Sequence, residues 1–143
     1  IALRHLAERL DLGYDLFDAI MRTREVQAEN MAKRCLQNGK NITIIGKAYK
    51  PGVSYTNGSA SMLVGHYIEK HGGIVHYYDP NTGDNDIKRD WTQVYLIGYW
   101  DKWSQHLHLP SSATVIDPWR TDRYPTIMPI GRIQYGDTRK KKE

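Results

Sequence analysis

Four short runs rich in isoleucine, valine and tyrosine punctuate the chain, and each stops at a glycine or an Asp-Pro pair. They are Asn41 to Ile45 before Gly46, Ile74 to Tyr78 before Asp79 and Pro80, Gln93 to Tyr99 around Gly98, and Ala113 to Asp117 before Pro118. Runs this short do not make helices, and their near-continuous apolar character is that of strands buried on both faces. Separated by crossovers, they predict a parallel sheet covered on both sides, an α/β fold.

The intervening segments follow a helical period. "IALRHLAERLDLG" places Leu3, Leu6, Ala7 and Leu10 at helical spacing and ends near Gly13. A longer helix is predicted from about Asp15 to Gln37, where Phe17, Ile20, Arg24, Ala28, Met31 and Cys35 share one face that reads as a packing seam. Gly39 stands where a helix C-terminus wants a residue with positive φ. "NGSASMLVGHYIEKHGG" predicts a helix with Ser59 or Asn57 near its N-cap. "DKWSQHLHL" reads as a short helix or turn, and "NTGDNDIKRDWT" as a loop with at most one helical turn. Beyond Arg120, "RYPTIMPIG" reads as extended coil and "RIQYG" as a last short strand.

With 143 residues, 40% hydrophobic and 25% charged, the chain is sized for one domain plus a helical appendage, and no apolar run approaches the roughly 20 residues of a membrane span. Of the formal charge of +4, "RKKKE" at the end supplies three, so the folded part is close to neutral. A solvated tail is expected, without a nucleic-acid stripe. The single cysteine, Cys35, makes no disulfide framework and fits a reducing, cytoplasmic setting. The chain opens at Ile1, inside a helical pattern, and reads as a piece of a longer protein.

In an open parallel sheet, ligands bind beyond the carboxyl ends of the strands. "GKAYKPG" sits at that end of the first strand: Gly46 permits a tight exit, Pro51 stiffens the loop, and Lys50 presents an ammonium beside Tyr49. Neither GxGxxG nor GxxxxGK[ST] is present, which excludes the dinucleotide fingerprint and the P-loop.

"IIGKAYKPGVSYTNGSAS" followed by "GGIVHYYDP" resembles the C-terminal domain of the UDP-glucose/GDP-mannose dehydrogenase family, and "VYLIGYWDKW" and "ATVIDPWR" match its later strands in order. The resemblance extends from Ile1 to about Tyr135. It implies a Rossmann-like three-layer α/β domain with a mostly parallel sheet, preceded by an N-terminal helical arm. Residues 1–38 would be that arm, the end of the family's central dimerisation region; 39–136 the nucleotide-sugar (UDP) binding domain; and 137–143 a basic disordered tail.

The implied function is the nucleotide-sugar binding part of an NAD-dependent UDP-glucose 6-dehydrogenase-like enzyme of polysaccharide biosynthesis, which oxidises the sugar C6 alcohol to a carboxylate through a thioester. Carried over by position, Tyr49 and Lys50 would meet the nucleotide sugar, with Trp119 and Arg120 beside it. A diphosphate suits Lys and Arg, the latter with two-pronged geometry. The implied partners are a UDP-sugar or related nucleotide sugar and a second copy of the chain, joined through the long helix. NAD and the reactive cysteine would come from an upstream half, so this chain alone is not expected to turn over substrate. Tyr55 and Asn57 replace the family's Asp and Arg, which puts NAD contact from this domain in question. The alternative is a non-catalytic nucleotide-binding or dimerisation module.

The remaining candidates read as structural. Cys35 lies on the apolar seam, His106 and His108 lack a third ligand for zinc, His66 and His71 read as surface residues, and Asp79 and Asp117 precede prolines and read as turn caps.

Overall fold

The computed structural model of the chain describes residues 2–12, 15–110, 114–119 and 133–134. Helix α1 spans Ala2–Arg9 and α2 spans Leu16–Leu36, after which β1 (Asn41–Ile45), α3 (Ala60–Lys70), β2 (Ile74–Tyr78), β3 (Val94–Ile97), β4 (Thr114–Asp117) and β5 (Ile133–Gln134) follow. All strand pairs are parallel, in the order β2-β1-β3-β4-β5. The four expected strands form, and the short fifth one pairs Ile133 with Ile116. This is an α/β Rossmann-like sheet.

The two faces of the sheet divide by residue parity, as a strand period of two requires. Ile42, Ile44, Val94, Leu96 and Ile116 face α2 and α3, where they pack on Ala28, Ala32, Cys35, Val64 and Ile68. Ile45, Tyr95, Ile97 and Val115 face the other way, against Ile87 and Leu107. That second layer is irregular. The segment after β2 makes one 3-10 turn at Pro80–Thr82, and the β3 to β4 crossover makes another at Lys102–His106, capped by Asp101. Among the described residues these two short segments cover that face, and burial of each fully enclosed isoleucine contributes about 1.5–3 kcal/mol.

Two local expectations are corrected. The packing seam of α2 holds only in its C-terminal half: Ala28, Ala32 and Cys35 are buried, whereas Ile20 is 52% exposed. The buried residues of α2 begin at Ala28, so helical spacing alone overstated the buried face. Gly39 does not adopt positive φ, since α2 ends at Gln37 in ordinary helical geometry. Its small size is what matters, because a Cβ there would stand 2.7 Å from the Cβ of Gln93. The Gln93 side-chain oxygen accepts from the amides of Lys40 and Asn41 at 2.9 and 3.1 Å, fixing the entry into β1.

Ser59 is the N-cap of α3, its hydroxyl accepting from the Met62 amide at 3.3 Å. Polar pairs tie α2 to α3: the Tyr67 hydroxyl donates to Glu25 at 2.9 Å, and His71 meets Glu29 at 2.9 Å. Lys33 and His71 together hold the Glu29 carboxyl below its usual range. The expected coil beyond Arg120 and the lysine tail lie outside the described residues.

Candidate functional site

Strand β1 lies between β2 and β3, and the chain leaves β1 and β3 toward opposite faces of the sheet. A crevice therefore opens at their carboxyl ends, the topological switch point where open α/β sheets bind ligands. A cleft of about 430 Å³ occupies this place, lined by Tyr49, Lys50, Gly98, Tyr99, Trp100 and Trp119. A second cleft, about 410 Å³, adjoins it on the α2 side with Arg24, Gln27, Met31 and Leu63 in its walls. Ala60, Ser61, Gly98 and Trp119 belong to both, so the two make one trough.

Glycine at the strand ends allows this geometry. Gly46 turns out of β1 with φ of 93°, and a Cβ there would stand 2.7 Å from the Tyr99 ring. Gly98 passes so close to β1 that a Cβ would lie 2.6 Å from the Gly46 carbonyl oxygen.

The loop carrying Tyr49 and Lys50 is clamped at both ends. At its start the buried Asp79 carboxylate accepts from the amides of Lys47 and Ala48, both at 2.8 Å, and from the Tyr99 hydroxyl at 2.6 Å. At its end the Gly52 amide donates to Asp101 at 2.9 Å, and Asn81 donates to the same carboxylate oxygen at 2.7 Å. Burial and the Asp79 hydrogen bond hold the Tyr99 phenol far above its ordinary range. Burial works to raise Asp101, but the hydrogen bonds from Asn81, Lys102 and Gly52 outweigh it and lower its pKa. Three loops thus act as one frame.

Within that frame the exposed side chains are aromatic and cationic. Tyr49 stacks on Tyr55, ring centroids 5.6 Å apart and 22° from parallel, and its amide donates to the Tyr55 carbonyl at 3.0 Å. Trp119 is 61% exposed, yet its indole N–H donates to the Gly98 carbonyl at 2.8 Å and its amide to Asp117 at 3.0 Å. The two lysines of the motif have different tasks. Lys47 is committed to Asp84 at 3.1 Å and lies over the Tyr77 ring, whereas Lys50 is exposed and, among the described residues, meets no carboxylate. Tyr49, Lys50 and Trp119 therefore share one cleft, and Arg120 lies outside the described residues.

Arg24 escaped the sequence reading, which assigned it to the helical seam. Its guanidinium donates to the Gly58 carbonyl at 3.1 Å and lines the second cleft. No acidic side chain lines either cleft among the described residues. The trough is thus suited to an anion with a flat or apolar body.

Cys35 is fully buried and its thiol is pushed up to about 12 by burial, the reverse of an activated nucleophile. Among the described residues no three metal-ligating side chains come together. His106 and His108 are exposed, the latter's ring nitrogen meeting the His106 carbonyl at 3.0 Å. Asp79 caps the 3-10 turn through the Asn81 amide at 3.0 Å, but its larger task is the clamp on Lys47 and Ala48. Tyr55 stacks on Tyr49 and Asn57 is exposed; being uncharged, neither side chain offers a cation to a dinucleotide phosphate.

No helix among the described residues is long and apolar enough to cross a membrane. No protein-family model and no curated protein matches the sequence. The structure is similar to the 1.55 Å crystal structure of a ternary complex of GDP-mannose dehydrogenase from Pseudomonas aeruginosa, with a TM-score of 0.69 and 16% identity. The match covers 81% of this chain but only 33% of that one, so the chain spans about a third of its length. At this identity the likeness establishes the fold alone, a Rossmann-like α/β domain.

Proposed function

We propose that this chain is the nucleotide-sugar binding part of an NAD-dependent UDP-glucose 6-dehydrogenase-like enzyme, with residues 1–38 as the end of its helical region and 39–136 as the binding unit. The observation that carries this reading is the switch-point trough, which has Lys50 and Arg24 in its walls, aromatic rings at its rim and, among the described residues, no carboxylate. In this reading Lys50 and Arg120 pair the diphosphate charge, while Tyr49 and Trp119 bound the sugar or base. The C6 oxidation, with its thiolate and NAD, belongs to another part of the protein. Pairing with a second copy is supported by Leu6 on α1, Leu10 and Leu12 just after it, and Leu16 and Ile20 at the start of α2, all about half exposed.

The stacking of Tyr55 on Tyr49 favours a second reading, a nucleotide-binding module that makes no NAD contact. Calorimetric titration with uridine diphosphate tests both. Wild type should bind, and Lys50→Ala should weaken binding at least tenfold; equal isotherms, or no heat from wild type, would count against both readings.

A further inference from the structure

One nearly buried polar side chain shared by both clefts belongs to a residue that no motif singles out. Ser61 stands in the first turn of the 11-residue α3, is only 5% exposed and lines both clefts. Its hydroxyl points at the open side of Gly98, where an added Cβ would collide with it. Among the described residues this hydroxyl makes no hydrogen bond to protein, and it opens on the trough rather than being enclosed. A hydroxyl that opens on the trough with no protein partner is free to complete its hydrogen bonds with whatever occupies that space.

The backbone around it has the same deficit. Ser59 caps α3 through the Met62 amide, which leaves the Ala60 and Ser61 amides without an acceptor among the described residues. A helix N-terminus with free amides favours negative charge. Arg24 and Lys50 stand in the walls of the same trough, with no carboxylate among the described lining residues to oppose them.

We propose that Ser61 is a phosphoryl contact: its hydroxyl and the first-turn amides of α3 bind one phosphate of the ligand where the two clefts meet, beneath Trp119. This rests on the nucleotide-sugar reading for the source of the phosphate, but the site itself is defined by anion chemistry alone. Binding would place the diphosphate between Lys50 on one side and Arg24 on the other, with the remaining ligand directed along the trough.

The test uses pyrophosphate, uridine diphosphate and uridine as probes, with the whole chain, followed by amide NMR and calorimetry. Pyrophosphate and uridine diphosphate should move the Ala60 and Ser61 amide resonances, and uridine should not. Ser61→Ala should weaken both phosphorylated probes about tenfold, the loss expected for one hydrogen bond to a charged group. Pyrophosphate that leaves the Ala60 and Ser61 amides unmoved in wild type would overturn the proposal, whether or not Ser61→Ala folds. Uridine diphosphate that binds equally to wild type and Ser61→Ala would also overturn it, while leaving the nucleotide-sugar reading intact. Pyrophosphate binding that depends on Ser61, without any gain from the nucleoside, would uphold the anion site and count against the nucleotide-sugar reading.

Discussion

The Tyr99 hydroxyl donates to the buried Asp79 carboxylate at 2.6 Å, joining the end of β3 to the residue that follows β2 across the mouth of β1. The same oxygen accepts from the amides of Lys47 and Ala48. One carboxylate therefore sets the position of the loop that presents Tyr49 and Lys50. The arrangement explains why a strand-end aspartate is enclosed rather than turned toward ligand.

Asp79→Asn should accordingly be costly, because the amide confronts backbone N–H groups with hydrogens of its own. The expected loss is about 1–3 kcal/mol for unsatisfied buried donors, read as a lower urea midpoint. Tyr99→Phe should cost about 1 kcal/mol, since it removes one of several bonds to the carboxylate.

Gly46→Ala combines backbone strain with a clash. At φ of 93° a Cβ is disfavoured in open space, and here it would also press into the Tyr99 ring. A destabilisation of about 1–3 kcal/mol is expected. The double variant Gly46→Ala with Tyr99→Ala should recover part of the steric component relative to the sum of the singles, as measured in a double-mutant cycle.

Stability should fall on the alkaline side. Burial holds the Cys35 thiol and the Tyr77 phenol each at about 12, above their ordinary values of 9.0 and 10.0. Both pKa values are raised for groups that are neutral when protonated, so the unfolded chain loses these protons first. Stability is then full below pH 9 and declines as pH rises toward 12. Each group steepens the decline by about 1.4 kcal/mol per pH unit inside its window. Cys35→Ala should flatten the portion that begins near pH 9 in denaturant titrations, and the native thiol should resist alkylation at neutral pH.

Asp101 gives the opposite slope. Its lowered pKa means that the stability it lends is present above the ordinary carboxylate value of 3.8 and is lost as pH falls through its folded value. Asp101→Ala should remove that part of the acid dependence. It should also speed hydrogen exchange at the Gly52 amide, which the carboxylate accepts from.

The strands were legible because β-branched residues concentrate where a sheet is covered on both faces. Capping by Ser59 was legible for a similar reason, since it is set within four residues. What escaped was set by distance in the chain. The Asp79 clamp reaches back to Lys47 and forward to Tyr99, and nothing local at Asp79 signals either partner. Arg24 has the spacing of a core position yet reaches Gly58, and Ile20 has the same spacing yet is half exposed. Gly39 is small for the sake of Gln93, a residue beyond two further strands. Ser61 lies two residues past the cap and looks like any helical serine until the sheet end closes over it.

The Trp119 indole N–H tests the central claim most directly, because it sits on Gly98 at the junction of the two clefts. On titration with uridine diphosphate, its NMR resonance should shift together with the amides of Tyr49 and Lys50, saturating at one common affinity. Saturable binding that moves α1 or the 3-10 turn at Lys102–His106 while Trp119, Tyr49 and Lys50 stay fixed would contradict a nucleotide site at the switch point.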